Sequence, residues 1–256
     1  MENGVGSRLD GYQGGVAFPA ARSRVAASMT TPAAPKVFVF DVVGTLADLQ
    51  PVENRMQGRG LPAGSLDPWF RHMLRDAMAL TLAGDYLPFP DVAASALHSH
   101  TRGALSDDDV EWILGGFSET RPHPDAVPAV DAALESGARV FALSNGATSS
   151  TEGFLDRAGI RDRVEQVLSI DDVRAWKPSP SPYRLAVERA GVPTSSIAMI
   201  AVHGWDLHGA NRVGLRTGWC SREEGVLTPA FARPDVVAER LDDVVRKLTT
   251  PSVTSE

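Results

Sequence analysis

A doubly wound parallel α/β sheet with an inserted helical unit is the fold class this sequence predicts, and three observations predict it. Residues 36–46, KVFVFDVVGTL, begin as an apolar run rich in β-branched and aromatic residues. The run ends in Asp41 and turns through Gly44 and Thr45, the pattern of a buried strand with an acid at its carboxyl end. From Pro122 onward, strand-like runs alternate with helical ones, which implies parallel pairing through crossovers. Between these two parts, residues 49–118 carry helical periodicity and no strand pattern.

The elements follow in order. Residues 49–66 hold Pro51, Gly58, Gly60, Pro62 and Gly64, a loop composition expected to act as a hinge. A helix is predicted to start at Asp67 and Pro68, with Trp69, Met73, Ala77 and Leu80 on one face, where Trp69 and Met73 face the core of the helical unit or the substrate. Further helices are expected over residues 91–100 and 106–114. The second opens with Ser106 and Asp109 as a capping pair, so the acids Asp107, Asp108 and Asp109 are read as a solvated first turn, with a metal site as the alternative. Beyond them the sequence predicts helix 126–136, strand 139–143, helix 148–158, strand 164–169, helix 183–190, strand 197–202, helix 207–213, strand 215–219 and a last helix 235–248.

Composition narrows the function classes. The 43% hydrophobic and 22% charged content suits a globular protein, and a net charge of −7 with no basic stripe argues against nucleic acid as a partner. No apolar run reaches the ~18 residues of a membrane span. Residues 1–34, rich in Gly, Ala, Ser and Pro, are expected to be a disordered extension without a secretory signal, which implies a cytoplasmic protein. Cys220 stands alone, so no intrachain disulfide forms, and its expected role is structural. His72, His98, His100, His123 and His208 show no metal-ligand spacing.

Parallel strands deliver their carboxyl ends to one edge of the sheet, where ligands bind. That edge gathers Asp41 with Thr45, Ser144 with Asn145, Lys177, and His203 with Asp206. Lysines occur only at positions 36, 177 and 247, which makes Lys177 informative. A lysine beside a carboxylate keeps it ionised and attracts an anionic substrate, while Ser144 and Asn145 offer donors to a substrate carboxylate.

The motif DVVGTL at 41–46 resembles the nucleophile motif of the haloacid dehalogenase (HAD) superfamily, and the later stretches FALSNG (141–146), KPSPSPY (177–183) and GWDLHGANRVGLRTGW (204–219) are similar to its type II (S)-2-haloacid dehalogenases. The resemblance covers residues 36–225. It implies a Rossmann-like HAD core over residues 35–48 and 119–250, with a helical cap over 49–118. It further implies Asp41 as nucleophile with Thr45 as its partner, Ser144 and Asn145 as the carboxylate-binding turn, and Lys177 paired with Asp41. Tyr183 and Trp205 would support the site, and Asp206 would fix the lysine or the hydrolytic water. The implied reaction is displacement of halide from a small (S)-2-haloacid with inversion, followed by hydrolysis of the aspartyl ester, with no cofactor and a small carboxylate as substrate. A homodimer is common in that family.

Two features separate the chain from the HAD phosphatases. Val43 stands where those enzymes carry the acid that protonates a leaving alkoxide, a proton that halide does not need. Ala201 and Val202 stand where a second acid would help hold Mg²⁺. Two departures from the dehalogenases balance these. The family's Trp-Arg pair in the cap, whose arginine receives halide, becomes Trp69 and Phe70 with Arg71 one position, about 100°, further round the helix. His203 is the second departure, readable as a base for ester hydrolysis, a cation for the leaving group, or a histidine bonded within its loop. The alternatives are therefore an Mg²⁺-dependent phosphatase of a small phosphate ester and a non-catalytic anion- or protein-binding module.

Overall fold

The computed structural model describes residues 33–250, and nearly all of the expected 1–34 extension lies outside them. The chain opens with strand β1 (Val37–Asp41), every residue of which is buried. Burial on both faces is what a central parallel strand requires, and it explains the unbroken apolar run before Asp41. Gly44, at φ +82°, turns the chain back, and its amide donates to the Ala47 carbonyl at 3.1 Å. A two-residue strand β2 (Ala47–Asp48) then leads into the cap.

The cap consists of α1 (Gln50–Gly58), α2 (Leu66–Ala83), α3 (Phe89–His100) and α4 (Asp107–Leu114). Strand β3 (Arg121–Pro122) brings the chain back and pairs antiparallel with β2. Helix α1 overturns the expected loop at 49–66. Its proline sits in the first turn, where the missing amide has no intrahelical partner to lose, and Val52 and Met56, four residues apart, bury one face in the cap. The Ser106–Asp109 pair forms a complete capping box on α4, consistent with a solvated acidic first turn.

The remainder is α5 (Ala126–Glu135), β4 (Arg139–Ser144), α6 (Thr148–Arg157), β5 (Gln166–Ser169), α7 (Pro180–Ala190), β6 (Ile197–Ala201), α8 (Gly204–Val213), β7 (Arg216–Cys220), β8 (Val236–Ala238) and α9 (Leu241–Thr249). All six core strands pair in parallel in the order β5-β4-β1-β6-β7-β8. The chain runs outward from β1 to β4 and β5 on one side and to β6, β7 and β8 on the other. Asp41 therefore ends the strand at the topological switch point. Strand β8 corrects the single helix expected over 235–248. Asp235 accepts from the Thr217 amide at 2.7 Å and pins the chain beside β7, so three residues pair before the helix starts.

Each face of the sheet has its own core. Phe38 and Phe40 pack with α5 and α9, whereas Val37 and Val39 pack with Tyr183 and Ala210 from α7 and α8. The cap has a third cluster, built on Trp69, Met73 and Leu97, and Ile170 and Trp176 of the core reach into it. Trp69 and Met73 thus serve the cap's interior. No helix among the described residues is long and apolar enough to cross a membrane.

At Gly218 on β7 an added Cβ would clash with Val244 of α9 and lie 2.8 Å from Ile200 Cδ1. Gly218→Val is expected to cost about 1–3 kcal/mol through overpacking. The readout is a lower urea midpoint with an unchanged slope; an unchanged midpoint would show that α9 does not need this close approach.

Candidate active site

The last residue of β1 carries the first carboxylate. Asp41 is buried, and both of its oxygens are occupied. Lys177 Nζ donates to Oδ1 at 2.6 Å, and Thr45 Oγ1 donates to Oδ2 at 2.6 Å. The Gly44 turn is what brings Thr45 back under Asp41, and the Thr45 hydroxyl also accepts from the Val202 amide at 3.1 Å, tying the loop after β1 to the end of β6.

Lys177 is fully buried and spends all three protons: on Asp41, on Asp206 Oδ2 at 2.8 Å and on the Leu143 carbonyl at 3.1 Å. Asn145 holds it in place by accepting from the Lys177 amide at 3.2 Å. Tyr183 completes the layer below, donating to Asp206 Oδ1 at 2.5 Å. Ser144 Oγ accepts from the Gly146 amide at 2.9 Å, which folds the turn after β4 back on itself beside the site.

The two carboxylates share one ammonium, and their surroundings push them apart. Burial alone would raise Asp41, but the charge of Lys177 and the contact with His203 outweigh it and hold the carboxyl well below its usual range. Asp206, with no exposure at all, is raised by burial despite Lys177, and the charge of Asp41 adds to that rise. Burial would lower Lys177, yet Asp206 and Asp41 together keep it above its ordinary value. Burial also raises the Tyr183 hydroxyl well above its ordinary value, so it remains a donor.

His203 lies on the open side of Asp41, with Nδ1 3.2 Å from Oδ2. Its ring is sandwiched between Trp205 (centroids 5.3 Å apart, 28° between planes) and Phe70 of the cap (6.2 Å, 27°). Nε2 faces Glu223 at 3.9 Å. Desolvation would lower this histidine, but the hydrogen bond and charge of Asp41 more than compensate and raise it above 6.5.

The structure thus brings together Asp41, Thr45, Ser144, Asn145, Lys177, Tyr183, His203, Asp206, Trp205 and Phe70. Arg71 does not join them. Its side chain is 74% exposed, the result of the one-residue step around the helix; it pairs with Asp67 at 2.7 Å, and its charge acts on Glu224 of the loop after β7. Sequence reasoning missed the loop after β7. There Arg222 donates to Gly44 O at 3.3 Å and pairs with Asp125 at 2.8 Å, and Glu224 accepts from the Gly204 amide at 3.1 Å at the start of α8. The available signal was position: acids directly after a parallel strand fall on the ligand-binding edge. Among the described residues, no group of three or more His, Cys, Asp or Glu side chains is arranged to hold a metal ion.

A family profile described as haloacid dehalogenase-like hydrolase matches residues 35–214. The chain belongs to the haloacid dehalogenase-like hydrolases. This hydrolase is 28% identical over 218 residues to haloacetate dehalogenase H-2 of Moraxella sp. strain B, a match covering 82% of this chain and 96% of that one. It is 31% identical over 195 residues to an (S)-2-haloacid dehalogenase of Xanthobacter autotrophicus, covering 73% and 75%. The solved L-2-haloacid dehalogenase from Xanthobacter autotrophicus superposes with a TM-score of 0.73 at 26% identity, over 83% of this chain and 97% of that one. The parallel core with its inserted cap is therefore the fold of this hydrolase family.

The position of His203 has a consequence for stability. A histidine whose folded pKa is raised stabilises the fold fully below its unfolded value of about 6.5, and that contribution is lost as pH rises through the folded value. The urea midpoint of the wild type relative to His203→Gln should therefore fall as pH rises above about 6.5. A difference that widens with rising pH would contradict the raised pKa.

Proposed function

We propose that this hydrolase removes halide from a small (S)-2-haloacid, with Asp41 as nucleophile and an aspartyl ester as intermediate. One observation carries the reading: a buried carboxylate at the switch point, ionised by Lys177, beside the Ser144–Asn145 turn. The names of the relatives agree with it.

The chemistry runs in two halves. The substrate carboxylate docks on the turn, where Ser144 and the Asn145 side-chain amide offer donors. Asp41 attacks C2, the carbon–halogen bond breaks with inversion, and the halide leaves with the bonding pair. No proton is required at that step, so Val43 suffices where a phosphatase needs an acid. The protonated imidazole of His203 supplies the positive charge beside the reacting carboxylate that no cap arginine supplies here.

Esterification then removes the negative charge that keeps His203 protonated, so its pKa falls and it releases a proton to solvent. It next accepts a proton from the water that attacks the Asp41 carbonyl carbon; the bond from that carbon to the substrate oxygen then breaks, and the departing alkoxide takes the proton left on the added hydroxyl. Asp41 is restored, and the net products are the 2-hydroxy acid, halide and one proton. Lys177 and Asp206 remain a fixed pair through both halves. Tyr183 orients Asp206, and Phe70 with Trp205 holds the imidazole plane. No step in this scheme calls on a metal.

Halide release from (S)-2-chloropropionate should survive EDTA and disappear in Asp41→Asn. His203→Asn should slow ester hydrolysis by about 10²–10⁴-fold. Acid-quenched mass spectrometry would then find the ester on the peptide carrying Asp41. Turnover of a phosphate ester that requires Mg²⁺, with no halide release from any haloacid, would overturn the reading.

A further inference from the structure

A cavity of about 450 Å³ opens between cap and core. At its inner end lie Val42 and Val43, the two residues that follow Asp41, together with Ser144 and Gly146 of the anion-binding turn. From there it runs outward between two unlike walls. The cap and hinge side is mostly apolar, with Leu49, Phe89, Leu114 and Phe117, and carries the hydroxyls of Ser118 and Thr120. The opposite side is α6, which contributes Ser150, Gly153 and Phe154, neighbours on one helical face. Serine and glycine at two of these positions leave the space unfilled.

A carboxylate seated on the Ser144–Asn145 turn with C2 toward Asp41 has its remaining substituent beside this cavity. A haloacetate has no such substituent and leaves the space empty, although its size is in the range that encloses far larger ligands. We infer that the cavity receives the C2 substituent of the substrate, and that this hydrolase prefers 2-haloacids bearing an apolar alkyl or aryl chain over haloacetate. The inference rests on the docking of the substrate carboxylate set out above. Its energetic basis is the transfer of methylenes from water to the Leu49, Phe89, Leu114 and Phe117 wall, about threefold to fourfold in affinity for each methylene fully buried.

Gly153 offers a clean test. An added Cβ there would meet only the flexible end of Arg157, at 3.4 Å, and the helix interior favours leucine over glycine. Gly153→Leu therefore fills the cavity without straining α6. Ser150→Leu, at an exposed position one turn earlier on the same face, serves as a second variant that leaves the core untouched.

The experiment measures halide release from racemic 2-bromohexanoate and from bromoacetate, and, separately, binding of hexanoate and propionate by calorimetry. In the wild type, kcat/KM should favour 2-bromohexanoate, and hexanoate should bind at least about tenfold more tightly than propionate. Either variant should remove most of that tenfold and leave bromoacetate turnover within about twofold. Equal binding of the two carboxylates, or variants that change both pairs alike, would overturn the inference. If no haloacid is turned over but hexanoate binding is tighter and is lost in the variants, the cavity assignment stands and the dehalogenation reading falls.

Discussion

A single ammonium group, sealed from water between two carboxylates, sets the conditions for everything around it. Lys177 cannot be removed without leaving two buried carboxylates, Asp41 and Asp206, without their shared cation, and breaking a buried ion pair by deleting one partner typically costs about 3–5 kcal/mol. The surrounding polar contacts follow from that constraint. Tyr183 and Thr45 occupy the carboxylate oxygens that the lysine leaves over, the Leu143 carbonyl takes its third proton, and Asn145 fixes the backbone that carries it. No buried side-chain nitrogen or oxygen among the described residues lacks a partner. A network satisfied at every position is rigid and keeps the carboxylate aimed, while the charge of Lys177 keeps it ionised.

The sheet explains why five stretches scattered through the sequence meet at one point. Asp41, Ser144, the segment with Lys177, His203 and the loop after β7 each follow a parallel strand, and the strands end on one edge. The three neighbouring strands β4, β1 and β6 deliver Ser144, Asp41 and His203. The segment after β5 supplies Lys177, and the loop after β7 supplies contacts that brace the turn after Asp41. Arg222 is the clearest example, since it ties the loop after β7 to the carbonyls of Gly44 and Thr45 and to Asp125.

Much of this was legible before any coordinates. Asp41 stood out because an apolar run ended on it and a glycine turned the chain directly after. Lys177 stood out because lysines are rare here and a proline follows it. What escaped had physical reasons. Helix α1 was hidden by Pro51 and Gly58, residues that usually mark loops, yet both lie at helix ends where they are tolerated. Strand β8 pairs only three residues at a sheet edge and depends on Asp235 gripping Thr217, a contact far apart in sequence. Arg71 could not be placed by pattern alone, because one residue of helical phase separates an inward side chain from an outward one. The stacking of His203 between Trp205 and Phe70 joins core to cap, and no local spacing records such a contact.

The short ribbon formed by β2 and β3 has an evolutionary meaning. Ala47 pairs with Pro122 and Asp48 with Arg121, so the chain leaves the core and re-enters it at adjacent points. Everything between those points is a cassette with two stitched ends. Asp41, Lys177 and the Ser144–Asn145 turn all lie outside it, whereas Phe70 and the apolar residues Phe89, Leu114 and Phe117 lie within it. Mutation, duplication or exchange of the cassette can therefore change what faces the Asp41 cluster while the ion pairs of that cluster are inherited intact.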